Sequence, residues 1–219
     1  MRVLLAAALL ALAPIAAAAE LAPPPERGPI FSVRAGHGVP AGDAVRGGPA
    51  VSEIAERKFP LGFELGYRLT RRFWAQLAFE LAPATPASPR CAAGTSCSAS
   101  DVRFGAELMV RLLPGGRVDP WLAAGAGVEV LNAAGRDPAA ATPARTEWSW
   151  AGLELPFLEA GADVAISDRI GVGPWGSISF VRFTSDSAKV EGAAEVSGAV
   201  RGRAVHRWLS GGLQATLKL

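Results

Sequence analysis

Large apolar residues occupy every second position of the stretch FPLGFELGYRL, residues 59–69. Proline, glycine and single charged residues stand between them. A period of two places successive side chains on opposite faces of an extended chain, so this stretch predicts a strand with one apolar face. That face could contact a second sheet, a bound ligand or lipid, and the rest of the sequence bears on the choice.

Seven further segments alternate in the same way, with residues 170–180 the least regular. By number they are 28–36, 73–81, 101–112, 120–130, 157–166, 170–180 and 208–219. Just before residue 158 the apolar residues stand at odd positions, Phe157 included, and after it at even ones. This change of phase at Pro156–Leu158 predicts a β-bulge.

The connections between these segments alternate between short and long. The turns after the second, fourth and sixth segments are short, whereas the connections near 37–58, 82–100, 132–148 and 181–206 are long and rich in small and charged residues. An up-and-down meander with its long loops at one end gives this pattern, and a Greek-key sandwich does not naturally do so. The sequence therefore predicts an all-β, eight-stranded antiparallel up-and-down barrel.

The two faces of the predicted strands differ in a way that favours lipid contact. The apolar face carries no charge through the three most regular strands, whose runs have about the 9–11 residues needed to cross a bilayer. The other face combines glycine, alanine and isolated charges with Trp74, Trp121, Trp175 and Trp208. We therefore predict a closed transmembrane barrel, the form in which strands can cross lipid with every backbone group paired. A soluble lipocalin-like barrel and a periplasmic β-sandwich are the alternatives.

The N-terminal residues predict export. Arg2 precedes the apolar stretch VLLAAALLALAPIAAAA, and Ala17–Ala19 fit the small-residue cleavage rule, so residues 1–19 are expected to be a signal peptide. Residues 20–29 then form a flexible periplasmic lead-in, and residues 30–219 form the barrel. In an oxidising compartment, Cys91 and Cys97 in CAAGTSC predict a disulfide that closes a surface loop. No metal site is expected anywhere in the sequence, and these cysteines have no His or second Cys pair near them.

The signal peptide, the hairpin YRLTRRFWAQLAFEL, the strand entry VDPWLAAGAGVEV and the alternating C-terminal strand carry a family resemblance. Together they resemble the small eight-stranded outer-membrane β-barrels of Gram-negative bacteria, the OmpA-, OmpX- and OmpW-like group. The resemblance implies location in the outer membrane, insertion by the barrel-assembly machinery, and lipid as the surrounding partner. A monomer is expected, without a cofactor. The formal net charge of +2 gives no indication of a nucleic-acid partner.

Eleven charged residues are predicted to point into the lumen, five positive and six negative. They are Arg34, Glu64, Arg68, Glu80, Arg103, Glu107, Arg111, Glu129, Glu159, Asp163 and Lys218. This balance predicts cross-strand ion pairs, since an ion-selective ring would show one dominant sign. Eight strands leave room for little more than side chains, so a wide pore is not expected.

Catalysis is not predicted from the two histidines. His206 precedes Ser210 by four residues, but no carboxylate is near in the sequence, so His206 is interpreted as a polar residue at a strand mouth. His37 is interpreted in the same way at the end of the first strand. The expected function is a structural or surface-interaction role, with no ligand identified for the long loops. The alternatives are a narrow channel for small or apolar molecules, a lipid-modifying enzyme and a soluble periplasmic binder.

Overall fold

The computed structural model describes residues 27–87, 96–136 and 144–219. These residues form ten strands and one turn of 3-10 helix, Val51–Glu53. The strands are β1 (Gly28–Ala41), β2 (Ala55–Lys58), β3 (Leu61–Arg68), β4 (Phe73–Pro86), β5 (Ser96–Arg111), β6 (Val118–Arg136), β7 (Arg145–Ala165), β8 (Ile170–Val190), β9 (Val196–Ala199) and β10 (His206–Lys218). No helix among the described residues is long and apolar enough to cross a membrane.

The ten strands occupy eight positions around a closed barrel, and we call each position a stave. Strands β2 and β3 lie in line, interrupted at Phe59 and Pro60, and both pair with β1 and β4. Strands β9 and β10 likewise both pair with β8. Every pairing is antiparallel, and β1 closes the ring on β10 from the pair Ile30–Lys218 to the pair Ala41–Arg207. The predicted eight-stranded up-and-down barrel is therefore confirmed.

The two ends of the barrel differ in the length of their connections. The turns 69–72, 112–117 and 166–169 lie at one end, which we call the short-turn end. Gly28 and Leu219 lie at the same end, where Leu219 N donates to Pro29 O at 3.0 Å. The opposite end, called the long-hairpin end, carries the connections β1–β2, β4–β5, β6–β7 and β8–β9–β10.

The strands at the long-hairpin end continue much further than the sequence predicts. Pairing between β6 and β7 extends to Arg136–Arg145, and pairing between β7 and β8 extends to Thr146–Val190. The predicted long loops near 132–148 and 181–206 are therefore wrong in extent, because much of each is strand. In these outer parts of the strands neither face needs to be apolar, so the hydrophobic alternation that marks a strand disappears.

The β-bulge in β7 is present, but it changes the orientation of one residue. The register of β7 on β8 shifts between Glu154 and Phe157. Leu155 and Pro156 are both exposed, whereas Phe157 is only 3% exposed and lies inside the barrel. The prediction that Phe157 belongs to the apolar outer face is therefore wrong, because the phase changes before this residue rather than after it.

Strand β1 begins at Gly28, so the barrel includes the last two residues of the predicted lead-in. The predicted signal peptide and the lead-in up to residue 26 lie outside the described residues. Cys91 also lies outside them, in the segment 88–95, while Cys97 is part of β5. The predicted disulfide therefore stays a prediction.

A belt of exposed apolar side chains surrounds the barrel. In residues 61–67 of β3, 73–81 of β4 and 102–110 of β5, the outward positions carry only apolar residues. Members of this outer belt include Leu61, Phe63, Leu65, Tyr67, Phe73, Leu77, Phe79, Leu81, Phe104 and Leu108, and it continues on the other staves with residues such as Leu122, Leu158, Leu209 and Leu213. An exposed apolar surface of this size needs an apolar environment.

The barrel closes where β1 pairs with β10, and we call this pairing the seam. Close backbone contact at the seam predicts that Gly212→Ala is destabilising. A methyl group on Gly212 would overlap Ala35 O and stand 2.5 Å from Gly36 Cα, both main-chain atoms that cannot rotate away. We expect a loss of about 1–3 kcal/mol in the free energy of unfolding, measured by urea titration in micelles. Gly176→Ala is the control, because its methyl group would meet Ser210 O at 3.6 Å. Equal effects of the two substitutions would contradict the seam geometry.

Candidate functional site: the sealed lumen

An apolar cluster fills the lumen at the long-hairpin end. Four of its residues come from connections between strands: Ala44, Val51 and Ile54 from the β1–β2 connection, and Val200 from the β9–β10 connection. They pack against inward side chains of the strands, namely Ala55, Ala99, Leu131, Trp150, Val181, Phe183 and Trp208. We call this cluster the mouth seal. It excludes water from the end of the lumen that the long hairpins surround.

Main-chain hydrogen bonds hold the mouth seal to three parts of the barrel. Val51 N donates to Gly42 O at 3.0 Å, closing the loop on the end of β1. Arg46 N donates to Gly202 O at 2.7 Å, which joins it to the β9–β10 connection. Ala87 N, just after β4, donates to Ile54 O at 3.2 Å. The β1–β2 connection is thus part of the folded barrel rather than a loop projecting from it.

A buried lysine lies beneath the mouth seal. Lys58 is fully buried, and its ammonium group lies 2.7 Å from Glu80 Oε1 and 2.5 Å from Asp101 Oδ2. The same Nζ atom lies 4.6 Å from the ring centroid of Trp208, a cation–π contact. One cation therefore neutralises charge from two neighbouring staves, β4 and β5.

His206 lies at the same level and has a carboxylate partner that the sequence did not indicate. Its Nε2 is 3.0 Å from Glu129 Oε1, and Trp208 Nε1 donates to the same oxygen at 3.3 Å. His206 is the first residue of β10, at the end of its strand as predicted, and it is fully buried because the mouth seal covers it. His37 is exposed on the outer surface, where its ring meets Phe59 edge-on at 5.5 Å.

The middle of the lumen contains two arginine-centred groups. Arg34 Nη1 lies 2.8 Å from Glu64 Oε1 and 2.6 Å from Glu159 Oε2, and the Arg34 guanidinium stacks on Trp175 at 4.7 Å. Arg103 pairs with Glu154, and its Nη1 lies 3.5 Å from Glu80 Oε1. Ion pairs between side chains of different strands therefore fill this level of the lumen.

Towards the short-turn end, Arg111 is the centre of an aromatic layer. It donates to Asp119 Oδ2 at 3.0 Å and to Asp163 Oδ2 at 2.8 Å, while its guanidinium lies 4.4 Å from the ring centroid of Trp74. Buried apolar side chains complete the layer: Ile30, Trp74, Met109, Trp121, Ala123 and Trp175. Below it, Arg68 Nη2 donates to Leu219 O at 2.8 Å, and Arg68 Nε reaches Gly28 O at 3.5 Å.

The structure buries ten of the eleven charged residues predicted for the lumen, and only Lys218 is partly exposed. Four further charged residues are buried there: Lys58, Asp101, Asp119 and Glu154. All four stand at positions that continue the inward phase of their strands, so a longer extrapolation of the alternation could have found them. The predicted balance of charge is wrong as a result. The buried set contains nine carboxylates and five Lys or Arg side chains.

A second feature lies beside the mouth seal, on the projecting hairpins. A cleft of about 390 Å³ is lined by residues of β5 to β8 and the following turn: Ser98, Ala99, Ser100, Asn132, Ala133, Ala134, Arg145, Glu147, Trp148, Ser149, Ser187, Lys189 and Glu195. Hydroxyl and amide groups alternate there with charges of both signs, and Arg145 Nε donates to Glu147 Oε1 at 2.7 Å. The volume is within the range of small-ligand sites.

A closed antiparallel barrel with an apolar outer belt and a charged interior defines the class: this is a transmembrane β-barrel. A major outer membrane protein from Thermus thermophilus superposes with a TM-score of 0.60 at 14% identity, covering 88% of this chain and 100% of that one. At this identity the likeness shows a shared fold.

Two other solved structures give lower scores. Neisserial surface protein A (NspA) has a TM-score of 0.46 at 14% identity, over 88% of this chain and 97% of that one. OprG from Pseudomonas aeruginosa has a TM-score of 0.44 at 12% identity, over 89% and 98%. No protein-family model matches the sequence. No curated protein matches it either.

Proposed function

We propose that this chain is a monomeric, non-enzymatic outer-membrane protein with a structural or surface-interaction role. The long-hairpin end faces outwards and the short-turn end faces the periplasm, as in barrels whose turns are short on the periplasmic side. The outer belt supports a location in lipid, and the fold shared with an outer membrane protein supports the outer membrane. The single observation that carries the proposed role is the mouth seal.

The mouth seal argues against a role as an open channel. It fills one end of the lumen with apolar side chains, and below it ion pairs and indole rings occupy successive levels. An eight-stranded barrel has an interior just wide enough for such side chains. A molecule crossing this lumen would have to displace the seal and separate buried ion pairs, each costly to break.

The mouth seal also supports a non-enzymatic role. His206 and Glu129 form a hydrogen-bonded pair of the type that could assist catalysis, and Ser210 lies two inward positions away on β10. All three side chains are buried beneath the seal. A lipid or sugar substrate would have no route to them, and the pair is better explained as a support for Trp208, which shares the Glu129 oxygen.

Interaction with other molecules is expected at the projecting hairpins. They carry the 390 Å³ cleft on a strand-paired extension of the barrel wall, and binding residues concentrate on elements that a scaffold holds in place. Export by residues 1–19 and insertion by the barrel-assembly machinery belong to the same proposal. So does a disulfide between Cys91 and Cys97, the second of which lies near the start of β5.

Membrane fractionation with gel electrophoresis tests the proposed location. We expect the protein in the outer-membrane fraction, with an unboiled sample migrating faster in SDS than a boiled one, because the closed barrel resists the detergent. Recovery in the soluble periplasm without a heat-dependent shift would reject the proposal. It would favour a barrel whose apolar residues contact a core or ligand.

Planar-bilayer recording tests the closed lumen. We expect refolded protein to produce no steady conductance above that of the bare bilayer, because the mouth seal and the ion-paired layers occlude the lumen. An open porin inserted under the same conditions serves as the positive control. Reproducible single-channel steps from the folded protein would instead support the narrow-channel alternative.

A further inference from the structure

The buried charge of the barrel is unbalanced. Among the described residues, nine buried carboxylates face five buried Lys or Arg side chains, an excess of four negative charges if all are ionised. The carboxylates belong to Glu64, Glu80, Asp101, Glu107, Asp119, Glu129, Glu154, Glu159 and Asp163. Uncompensated charge in a water-poor interior is costly, so protons or bound cations must neutralise this excess.

The excess is concentrated in the middle of the lumen. Most of the other carboxylates have a basic neighbour, such as Lys58 for Asp101 or Arg111 for Asp163. Glu64 and Glu159 share the guanidinium of Arg34, which also lies 3.9 Å from Glu80. For Glu107, no basic side chain in the described part of the chain lies within ion-pair distance, and its partner is the neutral amide of Gln76. Glu64, Glu107 and Glu159 together with Arg34 thus carry a net charge of two minus.

The three carboxylates also have the geometry of a cation site. One oxygen each from Glu64, Glu107 and Glu159 can be chosen so that all three lie within 4.8 Å of one another. Ca²⁺ binds oxygen ligands at about 2.3–2.6 Å, so ligands on opposite sides of one ion are about 5 Å apart. Oxygens spaced in this way can contact a single ion placed between them.

A fourth side chain supplies independent support. Gln76 is only 4% exposed, and its Nε2 donates to Glu107 Oε1 at 2.6 Å, so its amide is directed at the cluster. Its other amide atom, Oε1, is buried without a hydrogen-bond partner. Glu107 Oε2 and Glu159 Oε1 are also buried without one. Such atoms are costly unless something contacts them, and amide and carboxylate oxygens are the ligands that Ca²⁺ prefers.

We propose that Glu64, Glu107 and Glu159, with the amide oxygen of Gln76, bind one hard divalent cation of the Ca²⁺ type inside the lumen. The charge of the ion matches the two uncompensated negative charges of the group. Because the mouth seal lies above this level and the aromatic layer of Arg111 below it, the ion enters as the barrel closes. The site thereby couples barrel assembly to the presence of the cation.

The bound metal can be counted directly. The full-length mature chain is refolded in detergent with Ca²⁺, passed through a desalting column in Ca²⁺-free buffer, and analysed for metal by mass spectrometry. We expect about one Ca²⁺ per folded barrel, and at least about tenfold less in Glu107→Gln. Glu147→Gln is the matched control, since Glu147 is an exposed carboxylate in the Arg145 pair, and it should retain the ion. The heat-dependent gel shift verifies folding.

Two results would overturn the proposal. Folded wild type without bound Ca²⁺ would mean that protons neutralise the cluster, and equal Ca²⁺ in wild type and Glu107→Gln would place the ion elsewhere. If Glu107→Gln does not fold, Tb³⁺ luminescence of the wild type decides. Trp175, which stacks on Arg34, should sensitise bound Tb³⁺, the signal should fall with excess Ca²⁺, and it should be weak in Trp175→Phe. A Tb³⁺ signal that Ca²⁺ does not displace would also contradict the site.

Discussion

Replacing Lys58 with methionine is expected to lower the free energy of unfolding by about 3–5 kcal/mol. Methionine keeps the length of the side chain but removes the charge that lies 2.7 Å from Glu80 and 2.5 Å from Asp101. Both carboxylates are buried, so the substitution leaves Asp101 without its closest cation and Glu80 with Arg103 and Arg34 only. Urea unfolding of the refolded protein in micelles, followed by tryptophan fluorescence, measures the change.

The same substitution at Lys189 provides the comparison. Lys189 lies on β8 and is exposed, so Lys189→Met should change the free energy of unfolding by no more than about 0.5 kcal/mol. A small effect at Lys58 as well would mean that its two carboxylates are neutral in the folded barrel. The ion-paired description of the upper lumen would then be wrong.

Replacing Leu65 with arginine is expected to cost about 2–4 kcal/mol when the protein is folded in lipid vesicles. Leu65 stands at the middle of the outer belt on β3, and its side chain is 62% exposed. A charge there meets the centre of the hydrocarbon layer, from which it cannot easily reach water. On a water-soluble barrel the same exposed position would accept arginine with little effect.

Val196 offers the control for this measurement. It lies on β9, beyond the outer belt, and is 73% exposed. Val196→Arg should therefore alter the free energy of unfolding by about 0–1 kcal/mol. If the two arginines cost the same, the outer belt does not contact lipid, and the proposed membrane location fails with it.

Much of this fold follows from local sequence pattern. In residues 59–69 the lipid-facing positions are all large and apolar, and the same phase rule holds on β4 and β5 because lipid tolerates no charge at these depths. The hairpin extensions could not be predicted in this way. The outer half of β8 is held mainly by main-chain pairing, and TSDSAKV carries no period that distinguishes strand from loop.

The lumen was only partly predictable, for a different reason. Inward phase identifies which side chains enter the barrel, and it places Arg34, Glu107 and Glu159 there without any structure. Which of these side chains meet depends on how the strands are staggered around the barrel. Residues that are neighbours inside the lumen are therefore often far apart in the sequence. His206 and Glu129 are 77 residues apart, and Arg34 and Glu159 are 125 apart. The mouth seal was missed because a connection that folds inwards has no periodic signature.

Arg68 brings together two points that are separated by nearly the whole chain. Its guanidinium donates to main-chain oxygens of both Gly28 and Leu219, which β1 and β10 place side by side. A short glycine linker could therefore join these residues, and new ends could be opened at the turn 112–117 without changing any strand's neighbours. A circularly permuted chain of this kind would separate two influences on assembly, the order in which strands are synthesised and the order in which they lie around the ring.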